Sequence, residues 1–350
     1  QGREVNNRTR DTLGSRAVSL FKGFLAEHRK VASLARELDG FKDAGPVWPY
    51  LIQSMNAAGD REASMRAEAT ARLAEMAKPM LAQGRMGGKG QYFAELDLSL
   101  NRGEQIAIAL NLGNEGNTQR LLDGKGWTME QVLPVMRNLT AADWQFVQQV
   151  WDYFESYRPQ IGAMERRISG KEPAWVEARP VTVQTKDGQE LRLRGGYYPI
   201  VYDPAESGRA EQFADAEAAK QMMKGAFVAS TTRSSFIKSR AEKVTGRPVM
   251  LTWDALFRGG NDVIHRLAWQ EWVIDANRLV KNESIDEAIR TGYGAEVVKQ
   301  FKGAIKDIAA GENIPVDSLS KALNHVRSGA AVAGLGFNVM NALLQPLGLT

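Results

Sequence analysis

The stretch TAADWQFVQQVWDYFESY, residues 140–157, is the part of the sequence that decides the fold. Thr140 followed three residues later by Asp143 is typical of a helix N-terminus, where the two residues cap each other's backbone N–H groups. Apolar side chains then recur at intervals of three and four and share one side of a helix. These residues are Trp144, Val147, Val150, Trp151, Phe154 and Tyr157. The pattern predicts a helix over about 141–158 that packs against a core.

Comparable patterns on both sides of this stretch predict a mainly α-helical chain. Thr128 and Gln131 form a second capping-box signal, which starts a short helix. Pro79 is expected to end or kink the helix before it. The remaining predicted helices cover about 9–39, 49–78, 102–112, 209–229, 253–258, 261–281, 285–291, 294–310 and 318–328. The first two are long and closely connected, which predicts an antiparallel helical hairpin.

In one segment the spacing of apolar residues changes from that of a helix to the alternation of a strand. VTVQT and QELRLR flank the tripeptide KDG at 186–188, which predicts a β-hairpin that turns at Asp187-Gly188. The predicted fold class is therefore mainly α, with long helices and helical hairpins and one small β-hairpin near 180–195. The predicted domains are a long N-terminal helical hairpin, a helical subdomain, the β-hairpin with its strap and a helix, and a C-terminal helical subdomain that ends in an uncharged apolar helix. Their respective ranges are 1–90, 91–179, 180–230 and 231–350.

The composition argues against several classes of metal and redox site. The 350 residues include no cysteine, which excludes disulfides and thiolate ligands. The three histidines, His28, His265 and His325, are far apart and lack the i, i+4 spacing of a helix-borne metal site. His28 and His265 lie on apolar helix faces, so we expect packed side chains rather than ligands or bases. No cofactor is expected.

Positive charge is concentrated in one window. The chain has a net charge of +4, and residues 231–258 contain six basic and two acidic side chains, a surplus equal to that of the whole chain. Lysine and arginine supply most sequence-independent affinity for nucleic acids, so this window is a candidate contact for double-stranded DNA. The candidate residues are Arg233, Lys238, Arg240, Lys243 and Arg247. The alternative is a solvated helix face.

The last 23 residues, 328–350, carry no charge and are long enough to span a bilayer. Polar residues and Pro346 interrupt them, so burial between neighbouring helices is an alternative to contact with a host membrane. Small residues spaced by four suit close helix packing. The candidate membrane or helix-packing residues are Gly329, Ala333, Gly334, Phe337, Leu343 and Leu344. Because the chain begins at Gln1 and ends after this stretch, we expect a piece of a longer protein.

Two patterns suggest chemistry only weakly. GRMGGKG at 84–90 lacks the spacing and the final Ser or Thr of a phosphate-binding loop, so a mobile loop is the better interpretation. Four carboxylates lie near aromatic residues, and two of them facing one cleft would be needed to cleave a glycosidic bond. They are Asp143, Asp152, Glu155 and Glu165. Their helical positions favour capping and surface roles, so no catalytic residue is assigned.

Four stretches of the sequence are distinctive: LNLGNEGNTQRLLDGKGWT (110–128), DWQFVQQVWDY (143–153), RGGYYPIVYDP (194–204) and GLGFNVMNALLQPLGL (334–349). Together these phrases resemble the large internal virion proteins of tailed phages, also described as large polyvalent proteins, some of which are ejected with the genome. The resemblance covers roughly 100–350. It implies a protein that starts in the virion interior and acts in the host cell envelope, in the periplasm or inner membrane, or with the entering DNA.

Three functions follow as hypotheses. The first is a non-enzymatic structural segment of an ejection protein that helps form a DNA-translocation channel, with itself and other virion or ejection proteins as partners. Local helical contacts re-form quickly, which suits a chain that must refold after passing through a tail. The second is an accessory or catalytic module of a phage polyprotein that acts on peptidoglycan or nucleic acid. The third is a DNA-binding protein of the capsid interior.

Overall fold

The computed structural model describes residues 35, 39, 48–82, 86, 88–200, 248–253 and 255–310, and it confirms a mainly α-helical fold. A π-helical turn, Trp48–Gln53, leads directly into the first long helix. The α-helices are α1 (Ser54–Ala82), α2 (Arg102–Leu110), α3 (Glu115–Lys125), α4 (Met129–Asn138), α5 (Ala141–Glu155), α6 (Arg158–Ser169), α7 (Ala255–Lys281), α8 (Glu283–Tyr293) and α9 (Ala295–Ala310). The strands are β1 (Gln91–Phe93), β2 (Leu98–Leu100), β3 (Val181–Gln184) and β4 (Glu190–Leu193).

Helix α5 is the centre of the core, as its sequence predicts. Thr140 and Asp143 form the reciprocal capping box that starts the helix, and the whole apolar stripe from Trp144 to Tyr157 is buried. Helix α2 packs against α5, and all of its residues from Gly103 to Leu110 except Glu104 are buried. The Asn101–Glu104 capping box satisfies backbone N–H groups at the start of this enclosed helix.

Two antiparallel β-hairpins lie beside these helices. Strands β3 and β4 form the predicted hairpin, which turns through Asp187 and Gly188, the latter at φ +76°. The β1–β2 hairpin was not predicted. Its strands are only three residues long, and only Phe93 and Leu100 of its side chains are buried. A strand of three residues shows too little alternation of apolar and polar side chains to be distinguished from a loop in the sequence.

Two helices continue past a residue where the sequence predicts a break. Helix α1 continues through Pro79 to Ala82. Helix α7 is one continuous helix, where the sequence predicts a break near Gly259-Gly260. Packing explains this glycine pair. A Cβ added at Gly259 would lie 2.7 Å from Cβ of Pro199, and one at Gly260 would lie 2.9 Å from the hydroxyl oxygen of Tyr153. The two glycines therefore let the helix approach its neighbours closely.

The described residues belong to two compact units. One unit contains the stretch up to Ala58 and the helices from Trp272 onward, in which α8 packs against α9. The other runs from Gly59 to Glu271 and contains the hydrophobic core around α5. The four-segment division stays a prediction. Within the described ranges, no helix combines the length and apolar character needed to cross a lipid bilayer.

Several predicted features lie outside the described residues. They include nearly all of the first predicted helix, most of the strap after Tyr198, the basic candidates Arg233, Lys238, Arg240, Lys243 and Arg247, and all six candidates in 328–350. These features stay predictions.

Candidate functional site

The loop between α2 and α3 and the first turn of α3 together bury four polar side chains. Asn111, Asn114, Asn117 and Thr118 are all nearly inaccessible to solvent. Asparagine is mostly exposed in proteins, and a buried amide is tolerated only when its donors and acceptors are paired. Asn114 is the N-cap of α3 and accepts a hydrogen bond from the Asn117 backbone N–H at 2.9 Å. The side-chain amides of Asn114 and Asn117 donate to a different segment of the chain.

These asparagines bind the extended segment that follows β4. Asn114 Nδ2 donates to the Gly196 carbonyl at 3.1 Å, and Asn117 Nδ2 donates to the Tyr198 carbonyl at 2.7 Å. In the opposite direction, the N–H groups of Gly196 and Arg179 each donate to the Gly113 carbonyl at 2.8 Å. We call this set of contacts the Asn clamp. It joins chain segments about 80 residues apart through backbone groups that neither segment could satisfy alone.

Trp151 of α5 packs against the Asn clamp. Its indole Nε1 donates to the Leu110 carbonyl at 3.0 Å, and the ring is completely buried. Gly113 lies against this ring, with so little room that an added Cβ would overlap Trp151 and come within 2.6 Å of the Gly196 oxygen. The clamp is therefore a packed, fully hydrogen-bonded junction without space for a ligand between its parts.

Replacing Asn117 by alanine tests the clamp. The change removes the hydrogen bond from Asn117 Nδ2 to the buried Tyr198 carbonyl, and removing one partner of a buried hydrogen bond costs roughly 1–3 kcal/mol. We expect the urea midpoint of unfolding to fall accordingly, measured by tryptophan fluorescence. Asn56 on α1 is exposed and serves as the matched control. Equal midpoints for Asn117→Ala and Asn56→Ala would show that the clamp contributes nothing.

A second buried polar cluster joins α1 to α7. Glu62 Oε1 lies 3.0 Å from His265 Nδ1. The Glu62 carboxylate also accepts hydrogen bonds from Trp269 Nε1 at 2.6 Å and from Arg66 Nη2 at 2.8 Å. Burial by itself raises the pKa of Glu62, but the hydrogen bond with His265, the charge of Arg66 and the Trp269 bond together lower it to about 2. Glu62 is therefore a buried, ionised carboxylate. We call these four residues the Glu62 cluster.

Each of the four carboxylates that the sequence analysis considers is paired with an arginine. Asp143 is buried against Arg102, and its bonds to Thr140 cap α5. The other pairs are Asp152 with Arg194, Glu155 with Arg158, and Glu165 with Arg266. Asp143 thus has one of the two roles, capping or surface, that its helical position favours.

One small pocket lies beside the Glu155–Arg158 pair. It encloses about 20 Å³ and is lined mainly by apolar and aromatic side chains, including Phe154, Trp175 and Tyr197. Burial raises the pKa of Glu155, an effect that the charge of Arg158 partly offsets. The guanidinium carbon of Arg158 also lies over the Trp175 ring, 5.1 Å from the ring centroid. A space of this size holds one or two water molecules or a methyl group.

The sequence identified only some residues of these sites. His265 is buried, as its apolar helix face predicts. The partner of His265, Glu62, gives no signal, because it lies 203 residues away among other charged residues of α1. The phrases 110–128 and 194–204 are distinctive as text, but only the fold reveals that they bind each other. In the described part of the chain, no three His, Asp or Glu residues are grouped as metal ligands would be.

Comparison of the chain with protein-family models, with curated proteins and with solved structures gives no match.

Proposed function

We propose that this chain is a structural segment of a tailed-phage internal virion protein, delivered with the genome and helping to form a DNA-translocation channel through the host cell envelope. The Asn clamp is the observation that supports a structural role. It uses the most distinctive residues of the sequence, in 110–118 and 194–198, for mutual hydrogen bonds. Those two segments also belong to two of the four phrases that resemble ejection proteins.

The hydrogen bonding around α5 supports the same proposal. Buried polar side chains such as Gln105, Asn111 and Asn114 bind backbone carbonyls rather than face a cavity. The β3–β4 hairpin is attached by a backbone contact, since the Lys186 N–H donates to the Leu139 carbonyl at 2.9 Å. A domain of this kind has a defined shape, which is what a subunit of a closed assembly requires.

The experiment that tests the proposal is mass photometry of the purified chain, followed by electron cryomicroscopy in the presence of liposomes. We expect a ring or tube of defined copy number that contacts lipid through residues 328–350. Gly334→Leu should reduce assembly, because a large side chain blocks close helix packing. Gly303→Ala is the control, since a Cβ at Gly303 meets no neighbouring atom. A monomer that ignores lipid would contradict the proposal and favour a module within a larger polyprotein.

A further inference from the structure

The outer edge of strand β4 is open at two residues. The Thr185 N–H donates to the Gln189 carbonyl at 2.8 Å, so these residues form a hydrogen-bonded pair next to the turn. Bonded and non-bonded pairs alternate along an antiparallel ladder, and the next pair, which contains Glu190, is therefore a non-bonded one. The backbone N–H and C=O groups of Glu190 and Arg192 thus point away from β3. No other described residue bonds to these four groups.

Neighbouring positions on both edges of the hairpin are bound to the rest of the domain. On the β4 side, the Arg194 N–H donates to Gln148 Oε1 at 2.8 Å, and the Gly196 N–H belongs to the Asn clamp. On the β3 side, the Lys186 N–H donates to the Leu139 carbonyl, and α4 packs against the strand. The opening on β4 is therefore confined to one short stretch, which we call the β4 edge (Glu190–Arg192).

The side chains of the β4 edge complement a second copy of themselves. Glu190 and Arg192 are exposed on the outer face of the hairpin, and Leu191 between them is half-buried on the inner face. When two β4 strands pair antiparallel about Leu191, Glu190 of each strand lies opposite Arg192 of the other. Opposite charges across a ladder stabilise it, whereas like charges at both positions would repel.

The backbone of the β4 edge fits the same register. Glu190 and Arg192 of the second copy both present outward N–H and C=O groups, so they form a hydrogen-bonded pair, and symmetry repeats this pair on the other side of the axis. The two Leu191 residues form the non-bonded pair between them, with Cα atoms about 4.5 Å apart. The contact is isologous, because each copy presents the same surface to the other.

We infer that the β4 edge is a self-association surface, which pairs with the β4 edge of a second copy of this chain to form a four-stranded sheet. An open strand edge is a template for another strand, and proteins that prevent such pairing place charges that repel, or proline, on the edge. The β4 edge instead carries two charges of opposite sign in a self-complementary order. It is separate from residues 328–350, through which the proposed channel contacts lipid.

Charge reversal tests this pairing, with dimer formation by the full chain measured by sedimentation equilibrium over a wide range of protein concentrations. Glu190→Arg and Arg192→Glu each place like charges opposite each other at both pairs of a symmetric dimer, so either variant should raise the dimer Kd at least roughly tenfold. An equimolar mixture of the two variants should dimerise as the wild type does, because each strand then meets its complement. The double variant Glu190→Arg, Arg192→Glu should also dimerise normally.

A single cysteine locates the contact. The chain has no cysteine, so Leu191→Cys supplies one thiol per copy, at a pair whose Cα separation suits a disulfide. Mild oxidation should convert this variant into a covalent dimer. Val181→Cys is the matched control, since Val181 is half-buried on the same face but lies on β3, three strand spacings of about 4.8 Å from its counterpart. It should stay uncrosslinked, and a thermal melt verifies that every variant folds.

The pairing is overturned by a wild type that stays monomeric at every concentration, or by a dimer that neither reversal weakens. It is also overturned if the reversals weaken the dimer but their mixture does not restore it, because β4 then contacts a different surface. Equal crosslinking of the two cysteine variants has the same consequence. A ring or tube that forms normally from both reversal variants would overturn the pairing and leave the proposed channel intact. A β4-paired dimer that ignores lipid would support the pairing and contradict the channel.

Discussion

Replacing Gly195 by alanine is expected to destabilise the domain by more than about 4 kcal/mol, which exceeds the effect of most single substitutions. Gly195 has φ +77°, in the left-handed region that disfavours a Cβ. An added Cβ would also overlap the Arg179 carbonyl and lie 2.6 Å from the Gly113 oxygen. Both neighbours are backbone atoms of the Asn clamp, so neither can rotate away as a side chain would.

Gly126 provides a control that separates the two causes. It has a similar φ, +67°, at the C-cap of α3, but a Cβ there would meet no atom within 4 Å. Gly126→Ala should therefore cost only the conformational term, roughly 1–2 kcal/mol. Urea unfolding followed by tryptophan fluorescence measures both variants. If the two midpoints fall by the same amount, the close approach at the clamp is not what makes Gly195 necessary.

Acid is expected to weaken the junction of α1 and α7 through Glu62. The folded pKa of Glu62, about 2, lies below its ordinary value of 4.5, so the ionised form stabilises the fold above pH 4.5. This stabilisation is lost as the pH falls from about 5 through 2, and a difference of about 2.5 in pKa corresponds to about 3 kcal/mol. We expect the free energy of unfolding to fall by about this amount over that range.

Glu62→Gln isolates this contribution. In the wild type, His265 Nδ1 and Arg66 Nη2 are within hydrogen-bond distance of Glu62 Oε1, and Trp269 Nε1 donates to Glu62 Oε2. A glutamine amide turns one of these acceptors into a donor and removes the negative charge that lies 2.8 Å from Arg66 Nη2. At neutral pH the variant should be less stable by about 3 kcal/mol, at the lower end of what removing one partner of a buried pair costs. The difference between variant and wild type should vanish near pH 2.

Glu75→Gln is the control for this experiment, because Glu75 is an exposed acid on the same helix. Its stability should follow the wild-type pH profile throughout. A constant gap between Glu62→Gln and the wild type at every pH would mean that Glu62 contributes through its shape and hydrogen bonds alone, with no contribution from its charge.

Features set by residues close together in the chain were predictable from the sequence. The capping boxes at Thr128 and Thr140, the apolar stripe of α5 and the Asp187-Gly188 turn each depend on contacts within about four residues. The residue types that make such contacts lie next to each other in the chain, so they can be recognised in the sequence. The mainly α-helical fold class follows from the same signals.

The tertiary structure alone decided which polar residues became parts of a site. Asn117 meets Tyr198 across 81 residues, and Glu62 meets His265 across 203. In the sequence these are ordinary polar residues of helices and loops. Burial removes their water, so each must find a partner that only the folded chain brings near. Tertiary packing also decided the role of Gly259 and Gly260. In the sequence this pair predicts a break in a helix, but in the fold Pro199 and Tyr153 pack against the two glycines and α7 is continuous.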